Sequence, residues 1–77
     1  MPHDPLRSLI AETLLIDIAE VHEDSGVNRT ENWDSLRNMM IMAEVERVFA
    51  VKIAFRNYLD VATVREIRAL IETSRPA

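Results

Sequence analysis

A chain of 77 residues, 48% hydrophobic and 29% charged, can bury one modest core, so a single domain is expected and a deep, enclosed active site is not. The absence of cysteine excludes disulfides and thiolate metal centres. A formal net charge of −4 argues against unaided binding to nucleic-acid phosphates. The single glycine, and prolines found only near the two ends, favour helices through the middle. No apolar run approaches the roughly 20 residues that span a bilayer. The start Met1-Pro2-His3-Asp4-Pro5 lacks the basic opening and apolar stretch of a secretion signal, so a cytoplasmic location is expected. Charge is unevenly placed: residues 1–34 hold eight acids against two arginines (−6), and residues 35–77 hold seven bases against five acids (+2).

In chain order, Asp4-Pro5 predicts a helix start, with Asp capping free N–H groups and Pro at the first helical position. Leu6, Leu9, Ile10, Leu14 and Ile18 then recur at helical spacing, predicting a first helix from Pro5 to about Ile18–Glu20. Residues His22 to Asn32 keep neither a helical nor a strand period and read as a loop. Val27 is its apolar anchor, and Gly26 marks a turn of positive φ. Asp34 predicts the cap of a second helix from Ser35 to Phe49 or Ala50. A brief third helix is expected over Ala54 to Leu59. Thr63-Val64-Arg65-Glu66 is a capping box that opens a last helix with Val64, Ile67, Leu70 and Ile71 on one face. Order is expected from about residue 4 to about residue 74, with His3 in a mobile tail, fraying from Ser74 to Ala77, and Pro76 blocking continuation.

The second helix carries two apolar faces. At about 100° per residue, Ile41, Met42, Val45, Val48 and Phe49 lie within about 60° of Val45 and form a core stripe. Leu36, Met40 and Ala43 fall on the opposite side, with Met39 beside them and Glu46 and Arg47 continuing the line. Either the first loop folds back over this second stripe, or the stripe is a partner-binding face. Methionines suit the latter because the thioether adapts to different surfaces.

At Trp33-Asp34-Ser35-Leu36 the chain resembles the phosphopantetheine-dependent carrier protein family, whose mark is Asp-Ser-Leu at the start of the second helix after a long loop. Ile41, Val45 and Phe49 follow where that family keeps core residues. Val51-Lys52-Ile53 resembles its exit from the second helix, and Val61-Ala62-Thr63-Val64 the start of its last. The likeness runs from about Trp33 to Ile71; the first helix fits in character only. The resemblance implies an all-α fold, a small four-helix bundle of acyl carrier protein type with three main helices and one short one. It implies that Ser35 accepts 4′-phosphopantetheine from coenzyme A, and that Asp34 presents the serine to a phosphopantetheinyl transferase. It implies partner contacts through Leu36 and the positions of Met39 and Ala43, with Arg37, Met40 and Arg47 on the same docking face. It further implies that Ile53, Tyr58 and Val61 match positions lining a cargo cavity, although the same residues can be plain core. The terminal thiol of such an arm holds an acyl or aminoacyl group as a thioester. Partners are then a loading ligase and a downstream synthase or transferase. The chain itself is expected to be a monomeric substrate of those enzymes, with no catalytic residue and no metal.

Three departures stand out. Arg37, Met40, Arg47 and Val48 replace acids common in carriers of housekeeping fatty acid synthesis, which implies a specialised pathway. Trp33 replaces a small residue, either as a mark of specialised carriers or as a pin for the loop. The loop from His22 to Asn32 is short and polar, which puts its role over the cavity in doubt. The alternative is an unmodified helical interaction module that uses the Leu36/Met40/Ala43 face. Asp17, Glu20, His22, Glu23 and Asp24 form an acidic cluster better read as solvated surface than as a metal site.

Overall fold

The computed structural model describes residues 4–74. The protein is an all-α bundle of four helices: α1 (Pro5–Leu14), α2 (Ser35–Phe49), α3 (Phe55–Asp60) and α4 (Val64–Ser74). A single 3₁₀ turn, Ile18–Glu20, interrupts the first connection. The expected fraying of Arg75 to Ala77 and the tail at His3 lie outside the described residues; Ser74 itself still belongs to α4.

α1 begins as its sequence predicts. Asp4 accepts a hydrogen bond from the Arg7 N–H at 3.3 Å, and Pro5 takes the first position. It ends earlier than the apolar spacing predicts. Leu15 turns left-handed at φ 60°, and the N–H groups of Leu15 and Ile16 return to the carbonyls of Glu12 and Ala11 at 3.3 and 3.1 Å. This is a Schellman ending in which leucine occupies the residue usually given to glycine, at a cost of about 1–2 kcal/mol. Ile18, expected on the α1 stripe, sits instead in the exposed 3₁₀ turn. Arg7 holds that turn against α1 by donating from Nε to the Val21 carbonyl at 2.7 Å and from Nη2 to that of Ile18 at 3.0 Å.

The core joins Leu6, Ile10 and Leu14 of α1, Ile41, Met42 and Val45 of α2, and Val64, Ile67 and Ile71 of α4, with Val21, Trp33, Val51 and Ile53 from the connections. Val48, assigned to the α2 core stripe by its angle, is half exposed; it lies beyond the edge of α1, in a groove with Leu9 and Glu12. α3 starts at Phe55, one residue later than expected.

The first loop is well organised despite its polarity. Val27 donates its N–H to the Ala62 carbonyl at 2.9 Å, Val64 N–H reaches Ser25 O at 3.0 Å, and Arg65 N–H reaches Glu23 O at 3.0 Å. These bonds zip residues 23–27 onto the start of α4, with Gly26 and Thr63 paired as an isolated antiparallel bridge. Positive φ at Gly26 is not found; the left-handed loop residues are Asn28 and Asn32. Glycine is required for a different reason: a Cβ at position 26 would lie 2.2 Å from the Ala62 carbonyl oxygen. The capping box of α4 forms, with Glu66 Oε1 accepting from the N–H groups of Thr63 and Ala62 at 3.1 and 2.9 Å, and Thr63 Oγ1 accepting from Glu66 N–H at 3.2 Å.

At the far end, Arg68 of α4 donates to Asp4 and to Glu23, both at 2.8 Å, joining the α1 cap, the first loop and α4. Substituting Gly26→Ala must push the loop off Ala62, so a loss of about 1–3 kcal/mol in denaturant-unfolding stability is expected. Unchanged stability would mean that the loop is not held as closely as the bridge implies.

Candidate functional site

The site is built at the N-terminal end of α2. Asp34 is extended (φ −111°, ψ −174°), and its Oδ1 accepts from Arg37 N–H at 2.8 Å, while its carbonyl accepts the first helical bond from Asn38 N–H at 2.9 Å. Ser35 is therefore the first helical residue, and its side chain is exposed. The free N–H groups of this first turn favour a bound phosphate, and no acidic side chain occupies the turn.

A buried pair fixes this turn from below. Trp33, 2% exposed, donates Nε1–H to Asn38 Oδ1 at 3.1 Å. Asn38, 4% exposed, donates through Nδ2 to the carbonyls of Tyr58 and Val61, both at 3.0 Å. The indole only donates and the carbonyls only accept, so the amide can sit one way round. Trp33 thus pins the loop to the bundle. The sequence carries one signal for Asn38: a poor helix former one turn into α2, between two apolar stripes.

Beside Ser35 lies a cleft of about 100 Å³ lined by Val27, Ser35, Asn38, Met39, Tyr58, Val61 and Ala62. Tyr58 and Val61, two of the three residues assigned to a cargo cavity, line it. Ile53 does not: it is buried in the core, and its N–H donates to Glu46 Oε2 at 2.8 Å. Val27 brings the first loop to the cleft wall, against the doubt raised by that loop's polarity.

The second apolar stripe of α2 stays uncovered. Leu36 is 66% and Met40 46% exposed, with Met39 and Ala43 exposed beside them, so the first loop does not fold back over it. Arg37 reaches away from the stripe and donates to the Thr13 carbonyl at 3.0 Å, while Arg47 pairs with Glu44 at 2.6 Å. Both partners of that pair are exposed, so it adds little stability.

Among the described residues, no three His, Cys, Asp or Glu side chains converge on a point where they could hold a metal ion. Asp17 caps the 3₁₀ turn, Glu23 binds Arg68 and Asp24 binds Arg65. No described helix is long and apolar enough to cross a membrane.

The fold and the site define a small helical domain that displays one exposed serine at a capped helix start, between a shallow cleft and a bare apolar stripe. The family model described as the phosphopantetheine attachment site matches residues 4–71, and the chain belongs to that family. It is a phosphopantetheine carrier protein, a domain type to which 4′-phosphopantetheine is covalently attached and which is generally non-catalytic. The match takes in α1, where the residues alone fitted only in character. Comparison with curated proteins returned no match.

Tyr58 hydroxyl donates to Glu46 Oε1, which, with partial burial, pushes its phenol up to about 12. The same bond, with that from Ile53 N–H, lowers the Glu46 carboxyl. A folded pKa above the unfolded value near 10 adds stability that is complete below about pH 10 and is lost as pH rises toward 12. Tyr58 is the sole tyrosine, so phenolate absorbance reports on it alone. Its midpoint is expected near 12 in the wild type and lower in Glu46→Gln; equal midpoints would remove the bond from the account.

Proposed function

We propose that Ser35 carries the arm, that Asp34 presents it to a phosphopantetheinyl transferase, and that residues 1–77 act as one monomeric carrier domain in the cytoplasm. The observation that supports this most is the placement of the Asp34-Ser35-Leu36 serine: exposed, first in a 15-residue helix, capped by its own aspartate and open to solvent at the cleft. In the attachment step the Ser35 Oγ–P bond forms as the phosphoanhydride bond of coenzyme A breaks. Adenosine 3′,5′-bisphosphate leaves, and the serine proton passes to a base on the transferase. Among the described residues no histidine lines the cleft at Ser35, and none is needed, because the serine is activated by its partner. The arm supplies a thiol that carries an acyl or aminoacyl group as a thioester. This chain's own residues hold the serine out and offer Leu36, Met39, Met40 and Ala43, flanked by Arg37 and Arg47, to a loading ligase and a downstream synthase or transferase.

The docking face also supports a specialised pathway. Its rim holds Arg37 and the Arg47–Glu44 pair where a housekeeping carrier would be acidic. A partner with a basic docking patch gains no steering from such a face, and an apolar, weakly charged partner fits it better.

Incubation with coenzyme A, Mg²⁺ and a broad-specificity phosphopantetheinyl transferase is expected to raise the intact mass by one phosphopantetheine, and Ser35→Ala is expected to stay unmodified. No adduct with several transferases would favour the unmodified interaction module instead. In a second assay, the arm-bearing protein is expected to be a poor substrate for enzymes of general fatty acid synthesis. A kcat/KM there equal to that of an acidic housekeeping carrier would sink the specialised assignment.

A further inference from the structure

The cleft beside Ser35 is closed by bonds that all run back to α2 or the first loop. Asn38 Nδ2 holds the carbonyls of Tyr58 and Val61, both at 3.0 Å. Tyr58 is held a second time, through its hydroxyl, by Glu46. The next carbonyl, that of Ala62, is taken by Val27 N–H at 2.9 Å. Of the three residues that form the far wall, Tyr58 and Val61 are therefore tied across the cleft to α2, which carries Ser35, and Ala62 is tied to the first loop. The space left is about 100 Å³. An engineered apolar cavity of about 150 Å³ binds one benzene ring, and this cleft is smaller, so it is short of room to enclose a chain of six carbons or more unless it widens. Widening it separates Asn38 from two carbonyls while its oxygen stays bound to the Trp33 indole, leaving amide hydrogens without partners in a buried site.

We infer that Asn38 is a latch that keeps the bundle shut beside the arm, so that cargo of six carbons or more rides outside the protein, exposed to solvent and to partner enzymes. This specificity role rests on the carrier reading of Ser35. It selects for cargo that tolerates water: short, polar or aminoacyl groups rather than long acyl chains that need shelter.

The test loads octanoyl-phosphopantetheine from octanoyl-coenzyme A onto wild type, Asn38→Ala and Trp33→Phe. The last variant keeps the ring and removes the donor to Asn38. Two quantities are read: amide shifts at Val27, Tyr58, Val61 and Ala62 between the free-thiol and octanoyl forms, and the rate of thioester cleavage by hydroxylamine. In wild type the cleft amides are expected not to move, and cleavage is expected at the rate of free octanoyl-pantetheine. In Asn38→Ala, or in Trp33→Phe should the alanine variant not fold, the same amides are expected to shift and cleavage to slow. Shifted amides and a protected thioester in wild type overturn the inference. So do folded variants that remain as unprotected as wild type, because Asn38 would then not be what closes the cleft. Failure to load any group onto Ser35 is a different result: it removes the carrier reading itself, and the latch with it.

Discussion

A single buried amide organises the end of the bundle that bears Ser35. Asn38 lies buried one turn into α2, and a buried amide without partners is costly. All of its partners come from other parts of the chain: the Trp33 indole from the loop, and the Tyr58 and Val61 carbonyls from the end of α3 and the turn after it. Among the described residues no buried side-chain polar atom is left unsatisfied, so the network is complete, the condition under which buried polar groups specify one arrangement. The Trp33–Asn38 bond also spans Ser35 in sequence. With the Asp34 cap on the outside and this bond on the inside, the turn that bears the serine is held from both sides.

The charge asymmetry of the sequence is resolved in the same economical way across the bundle. Asp4, Glu23 and Asp24 come from the acidic first half; Arg68 and Arg65 come from the basic second half, and they pair. Burial raises the Asp4 carboxyl, but the Arg68 guanidinium and the Arg7 backbone N–H outweigh that and hold it below its usual value. Near the serine the pattern differs. Arg37 spends its donor on the last turn of α1, and Asn32 donates to the Leu14 carbonyl at 2.9 Å, so two orphan carbonyls of the α1 end are satisfied by residues flanking the motif. These contacts set α1 against the start of α2 and draw the Arg37 charge away from the exposed apolar stripe.

What was legible in the sequence was local. Asp4-Pro5, Asp34 and the Thr63–Glu66 box each satisfy backbone donors within three or four residues, and all three formed as the residue types require. The apolar faces of α2 and α4 were legible because periodicity is also local. What was not legible depends on approach between distant segments. The α1 stop at Leu15 has no glycine to announce it, and apolar spacing alone runs on to Ile18. A lone glycine in a loop suggests a turn of positive φ, but the need for Gly26 is set by Ala62, far along the chain. Ile53 matches a lining position by resemblance and a core position by type, and only its packing decides for the core. Asn38 is the clearest case: its meaning lies wholly in the partners, which no spacing reveals.

Helix α2 therefore does two opposed things. Ile41, Met42 and Val45 are fully buried, and together with Asn38 they weld the helix to the bundle. Leu36, Met39, Met40 and Ala43 are left bare, where each exposed apolar side chain forgoes the stabilisation that burial would give. A loop of eleven residues passes nearby and, instead of covering them, is bonded to the start of α4 and to Trp33. A fold that commits its loop contacts elsewhere and keeps a methionine-rich stripe open beside an exposed serine departs there from the single apolar face usual in a surface helix. The buried Trp33–Asn38 anchor lets that stripe stay open without loosening the turn that bears Ser35.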